Sequence, residues 1–332
     1  MFKILSGLFM VCAFAVSACS HPFASKAAAD TAASSSATPA LAAGNYALTL
    51  AVDGLQRKYI LHVPPQVNQG VPLPLLVVLH GSYGTGREMQ VGLGFDTYAD
   101  ARGFYTAYPN AYQAPGRIQT ARWNDGRGTL ASSTANIDDV KFITSMIDAI
   151  AAQVPLEKSR VYLTGASNGG MMAYRLGCET GSVFAGIAPV IGNIPVPIYA
   201  DCATQEPIDF LSINGGADPF IPLDGGTVCE NVRFGCEGGT VVSREQSVDK
   251  FASVDGCSLQ PVSETLPVLV NDGTRVEKLT YPKCQNGTQV VSYIVQNGGH
   301  AWPPRRPQVP SAGKQTGNLD ATQVIVDFFL PG

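Results

Sequence analysis

The residue type best placed to do chemistry is a serine. Ser167 sits in Gly165-Ala166-Ser167-Asn168-Gly169, the pattern G-x-S-x-G. Ahead of it Val161, Tyr162 and Leu163 are strand formers, and behind it Met171, Met172, Tyr174, Arg175 and Leu176 suit a helix. A tight strand-to-helix turn of this composition holds a serine hydroxyl out from a sheet edge for nucleophilic attack. The flanking glycines remove side chains that would clash where strand and helix cross.

A serine nucleophile needs a base. Of four histidines only His300 follows Ser167 in the chain, in a glycine-flexed loop, "NGGHAWP". The order Ser, then Asp or Glu, then His accompanies this turn in hydrolytic sites. His21 falls in a low-complexity stretch, His62 inside a predicted strand, and His80 closes another strand, where it reads as a structural residue. The acid that orients His300 is read as Asp218, just past a strand end in "GADPFIPLDGG"; Asp224 on the same loop is the runner-up. The oxyanion formed on attack calls for two backbone N–H donors. Asn168, next to the nucleophile, supplies one, and the loop after "LLVVLHG" supplies the other through Ser82. Trp302 is expected to present a flat ring to substrate, and Trp123 either does the same or packs its own loop.

The elements that must position these residues follow from periodicity. Strands are expected over 46–52, 57–63, 72–81, 104–110, 184–192 and 208–215, besides the strand ahead of Ser167. "RVEKLTYP" and "QVVSYIVQ" bracket an Asn286-Gly287 turn and read as a hairpin. Helices are expected over 87–102, 138–152, 247–254 and 319–330, and directly after the serine. Strands alternating with helices give an α/β fold with a mostly parallel sheet covered on both faces. In such sheets the site lies at the carboxyl ends of the strands.

Residues 1–18 read as a signal peptide, with Lys3 before an apolar run over 4–16. Val16-Ser17-Ala18-Cys19 resembles a bacterial lipobox, which implies a lipidated Cys19 and, with Ser20 following, the outer membrane, the periplasm or the cell surface. An ordinary signal peptide cut after Ala18 is the alternative. Residues 19–44, rich in Ala, Ser and Thr, form a flexible tether, and 45–332 a single domain. Charged residues make up 14% of the chain and the net charge is −4, with no basic run, so nucleic acid is not an expected partner. Six cysteines remain after Cys12 and Cys19, an even number that reads as disulfides in an exported chain; spacing does not choose the pairs. No C-x-x-C occurs and no histidine clusters with the cysteines, so neither metal nor cofactor is expected.

In chain order, "LHGSYGTG", "WNDGRG", "GASNGGMMAYRLGCE", "FAGIAPVIG", "GADPFIPLDGG" and "GGHAWP" resemble the secreted esterase family of feruloyl esterases and polyhydroxybutyrate depolymerases, over roughly 45–332. The resemblance implies an α/β-hydrolase fold, Ser167 as nucleophile, Asp218 as acid and His300 as base. It also implies the pairs Cys178–Cys202 and Cys257–Cys284. Cys229 and Cys236 stand in an insertion after the acid loop and are expected to close their own small loop. The implied activity is that of a serine carboxylesterase, with hydroxycinnamoyl esters of saccharides first and soluble hydroxybutyrate oligomers second. The chain ends soon after its closing helix, and no polymer-binding module is expected in it. A non-catalytic envelope lipoprotein and a serine peptidase on the same fold are the competing classes.

Overall fold

The computed structural model describes residues 41–114, 121–202, 206–230, 232, 238–305 and 310–332. The expected signal peptide, Cys19 and most of the tether lie outside the described residues. The fold starts slightly before the expected boundary: the Leu41 N–H donates to Gln153 O at 3.0 Å, and the first strand opens at Gly44.

In chain order the strands are β1 (Gly44–Val52), β2 (Leu55–Val63), β3 (Leu73–Leu79), β4 (Tyr105–Pro109), β5 (Leu156–Ala166) and β6 (Gly186–Val190). They continue as β7 (Asp209–Gly215), β8 (Gly226–Thr227), β9 (Thr240–Val241), β10 (Val262–Thr265), β11 (Arg275–Tyr281) and β12 (Val290–Gln296). Ten of them form one sheet in the order β1-β2-β4-β3-β5-β6-β7-β12-β11-β10, and β8 pairs with β9 separately. The middle six strands, β4 to β12, run parallel, and each edge is finished by antiparallel strands. The β11–β12 pair is the expected hairpin, in register from Arg275↔Gln296 to Tyr281↔Val290.

The α-helices are α1 (Gly86–Leu93), α2 (Phe95–Arg102), α3 (Ala131–Thr134), α4 (Asp139–Ala151), α5 (Asn168–Glu179), α6 (Val196–Tyr199), α7 (Arg244–Val254) and α8 (Ala321–Phe329). The single helix expected over 87–102 is two. Gly94 adopts φ 76°, a left-handed conformation open to glycine, and turns the chain between α1 and α2. The helix expected from residue 247 starts three residues earlier, because Ser243 and Gln246 form a reciprocal capping box.

Every residue of β3 is buried, and alternate side chains enter different cores. Leu75, Val77 and Leu79 join Phe142 and Ile147 of α4, Tyr174 of α5 and Phe251 of α7. Leu76 and Val78 join Phe95 of α2 and Ile325 and Phe329 of α8. The period-2 pleat thus sends one apolar run to both faces of the sheet, which is why β3 reads as continuous rather than alternating. Two of the implied disulfides are present, Cys178–Cys202 and Cys257–Cys284. Cys229 is disulfide-bonded, and its expected partner Cys236 lies outside the described residues.

Candidate active site

Ser167 stands between the last residue of β5 and the first of α5, at φ 57°, ψ −119°. A non-glycine residue at positive φ costs on the order of 1–3 kcal/mol and persists only where its surroundings enforce it. Here the Ser167 N–H donates to Val190 O at 2.9 Å, and its carbonyl accepts from Met171 N at 2.9 Å. The glycines permit the crossing. A Cβ at Gly165 would lie 2.4 Å from Gly169 O, and one at Gly169 would lie 2.5 Å from His80 O.

His300 follows β12 and Asp218 follows β7. Asp218 Oδ2 meets His300 Nδ1 at 2.7 Å. Asp218 Oδ1 accepts from the backbone N–H groups of Phe220 (2.8 Å) and Ile221 (3.0 Å), so its own loop aims the carboxylate. Its side chain is 2% exposed, and the imidazole 13%. The His300 N–H donates to Ala312 O at 2.6 Å, and the Phe220 ring stands edge-on to the imidazole at 5.0 Å. With Nδ1 facing a carboxylate, that nitrogen carries the proton and Nε2 is left as the acceptor. Asp224 is exposed and is not the carboxylate that meets the ring. The parallel strands β5, β7 and β12 end on one edge of the sheet, so Ser167, Asp218 and His300 share that edge. No hydrogen bond joins the Ser167 hydroxyl to either of the other two. Such contacts commonly tighten only with substrate bound.

The turn after β3 passes beside the serine: a Cβ at Gly81 would lie 3.4 Å from Ser167 Cβ. The backbone N–H groups of Ser82, in this turn, and of Asn168, first in α5, are not spent on backbone acceptors. His80 is buried beneath the turn. Its Nδ1 donates to Gly81 O at 2.7 Å, and its Nε2 accepts from Ala111 N at 3.0 Å. Burial pushes its pKa down to about 4, the Gly81 bond opposing and the nearby Arg57 charge assisting. A neutral His80 therefore holds the turn, as its place at a strand end suggests.

The two tryptophans correct the sequence reading. Trp123 is fully buried, tilted against the His80 ring at 5.1 Å, with its indole N–H on His80 O at 2.8 Å. Trp302 is 6% exposed; its indole N–H reaches Thr322 Oγ1 at 3.2 Å, and its ring meets Phe95 edge-on. Both rings pack the cores behind the site instead of facing substrate. An indole in a loop carries the same composition signal in either role.

Sequence reasoning also gave no role to the charged part of "WNDGRG". Asp125 and Arg127 form a buried ion pair, Nη2 to Oδ2 2.9 Å. Asp125 Oδ2 accepts from the Asn168 side chain at 2.6 Å. Neighbouring Asn124 donates its N–H to Asp139 at 2.7 Å and accepts from Arg175 Nη1 at 2.6 Å, which pins the segment from two helices.

Known proteins similar to this chain are esterases. Residues 57–224 match the family described as Esterase PHB depolymerase. NocK of Nocardia uniformis subsp. tsuyamanensis, an esterase by name, is 33% identical over 306 residues, 89% of this chain and 85% of that protein. Feruloyl esterase C of Emericella nidulans is 25% identical over 250 residues, 74% of this chain and 76% of that protein. Among solved structures, acetyl xylan esterase from Aspergillus awamori has TM-score 0.53 at 14% identity, covering 78% of this chain and 95% of that one, a likeness of fold.

Proposed function

The chain belongs to the Esterase PHB depolymerase family and is an esterase, and from that premise we propose that it is a serine carboxylesterase working through an acyl-enzyme. The observation that carries this is the 2.7 Å Asp218–His300 bond on the sheet edge where the strained Ser167 stands. His300 Nε2 takes the Ser167 hydroxyl proton as Oγ attacks the ester carbonyl. Asp218 holds the ring and stabilises the imidazolium. The N–H groups of Ser82 and Asn168 receive the oxyanion. Collapse breaks the carbonyl–alkoxy bond, and His300 hands its proton to the departing alcohol. Water then repeats the sequence on the acyl-enzyme, with His300 again as base, and releases the acid.

The substrates put first are hydroxycinnamoyl esters of saccharides, because relatives of this chain are named feruloyl esterases. Soluble hydroxybutyrate oligomers come second, from the family description. The buried tryptophans remove the ring-stacking argument for the first, so the relatives' names alone support it. We further propose that the chain is exported, that residues 1–18 are removed, and that a lipidated Cys19 and the tether hold domain 45–332 at a membrane surface. The two disulfides suit an oxidising compartment.

An ester panel containing methyl ferulate and a hydroxybutyrate trimer, with Ser167→Ala as control, tests the reading. The variant should lose about 10⁴- to 10⁶-fold in rate while keeping the parent's melting temperature. Activity within tenfold of the parent on purified variant refutes the serine mechanism.

A further inference from the structure

Asn168 is fully buried and its side-chain amide is fully paired. Oδ1 accepts from Trp123 N at 2.7 Å, while Nδ2 donates to Trp123 O at 3.1 Å and to Asp125 Oδ2 at 2.6 Å. The orientation of the amide is fixed, since the Trp123 N–H can only donate and the Asp125 carboxylate can only accept. Asp125 is itself fully buried and is held by Arg127 through the backbone N–H (3.1 Å), Nε (3.0 and 3.2 Å) and Nη2 (2.9 Å). Arg127 Nη1 then donates to Gly238 O at 2.7 Å, just ahead of β9. A continuous chain of bonds therefore runs from the β8–β9 segment, where it is partly buried, through the fully buried links of Arg127 and Asp125 to the residue after the nucleophile.

We infer that the Asn168 side chain aims the Asn168 N–H at the developing oxyanion, and that Asp125 is the positioning residue that holds it. This rests on the serine-esterase reading. The physical reason lies in the turn. Ser167 bends the chain into α5 at a strained angle, so the first N–H of the helix has no ladder partner to fix its direction. A donor works in an oxyanion site only if it is aimed before charge develops. The Asn168 amide, paired with both backbone groups of Trp123, supplies that rigidity from the side. Arg127 neutralises Asp125, so a carboxylate can serve here without setting a negative charge against the oxyanion.

The test compares Asn168→Ala, Asp125→Asn, Asp125→Ala and the double variants in the full chain. Labelling of the parent at Ser167 by a fluorophosphonate checks the underlying reading on its own. Asn168→Ala should lower kcat about 10- to 100-fold with KM within roughly threefold. Its inhibition constant for phenylboronic acid, which forms a tetrahedral adduct, should rise by a similar factor. Asp125→Asn keeps an acceptor for Asn168 and should lose less than Asp125→Ala. In the Asn168→Ala background, either Asp125 change should add nothing further. Should Asp125→Ala fail to fold, the Asp125→Asn cycle decides. In a parent that labels at Ser167, two results overturn the inference: Asn168→Ala with kcat and boronate affinity within threefold of the parent, or losses that add in the double variant.

Discussion

Asp218 uses each carboxylate oxygen for a different purpose. Oδ1 is spent on the Phe220 and Ile221 N–H groups, and Oδ2 on His300 Nδ1. Asn in its place can keep the first set, because an amide oxygen still accepts. Its NH₂ then faces Nδ1 and asks that nitrogen to accept, which moves the ring proton to Nε2 and removes the base. Asp218→Asn should therefore fold normally and lose about 10⁴-fold in kcat. Steady-state rates with a thermal melt of the same sample check it, and a loss under tenfold would mean that His300 does not depend on this carboxylate. The same residues mark what the sequence made legible. Ser167, His300 and Asp218 stand out because chain order and glycine-rich turns restrict the choices. The Asn168–Asp125 contact was not legible, because it joins residues 43 positions apart and neither type is unusual in a loop.

Among the elements, long buried strands and α4 were readable, because burial on both faces or on one stripe leaves a strong pattern. β10 was not, since all four of its residues are exposed and no apolar alternation marks it. The two-residue strands β8 and β9 are too short to carry a period, and the break at Gly94 rests on one left-handed residue inside an otherwise helical run. The turn after β3 makes a prediction at this scale. Unfolded, His80 titrates near 6.5; folded, it resists protonation down to about 4. Between those values the unfolded chain binds the extra proton, so stability falls as pH drops from 6.5 to 4, by up to about 3 kcal/mol from this group. Asp255, pushed up to about 6 by burial, acts in the opposite sense below pH 6, because the folded state takes its proton first. The His80 share is therefore read by difference. Denaturant unfolding of the parent and His80→Gln at pH 7 and pH 4.5 should show the parent's stability advantage shrinking toward acid. An advantage unchanged between the two values would mean that His80 is not held neutral.

At the scale of the whole molecule, the disulfides and the N-terminal sequence point the same way. Cys178–Cys202 ties the end of α5 to the segment beyond α6, and Cys257–Cys284 ties the end of α7 to the turn of the β11–β12 hairpin. Sequence separations of 24 and 27 correspond to about 3–4 kcal/mol each in the chain-entropy account, provided the compartment keeps the thiols oxidised. The export proposed above would supply that compartment, and Val16-Ser17-Ala18-Cys19 is the sequence from which a lipid-anchored route is proposed. One acyl chain binds a bilayer marginally and two bind it stably, so a diacylated Cys19 would govern the partitioning of the whole protein whatever the polarity of the domain. The full chain produced in a bacterium should therefore enter the detergent phase of a Triton X-114 separation, and Cys19→Ser should move it to the aqueous phase with ester hydrolysis unchanged. The mass of the mature N-terminal peptide distinguishes this from adhesion by the domain itself. A diacylglyceryl group on Cys19 is the expected result, and an aqueous parent with an unmodified Cys19 would remove the anchor from the account.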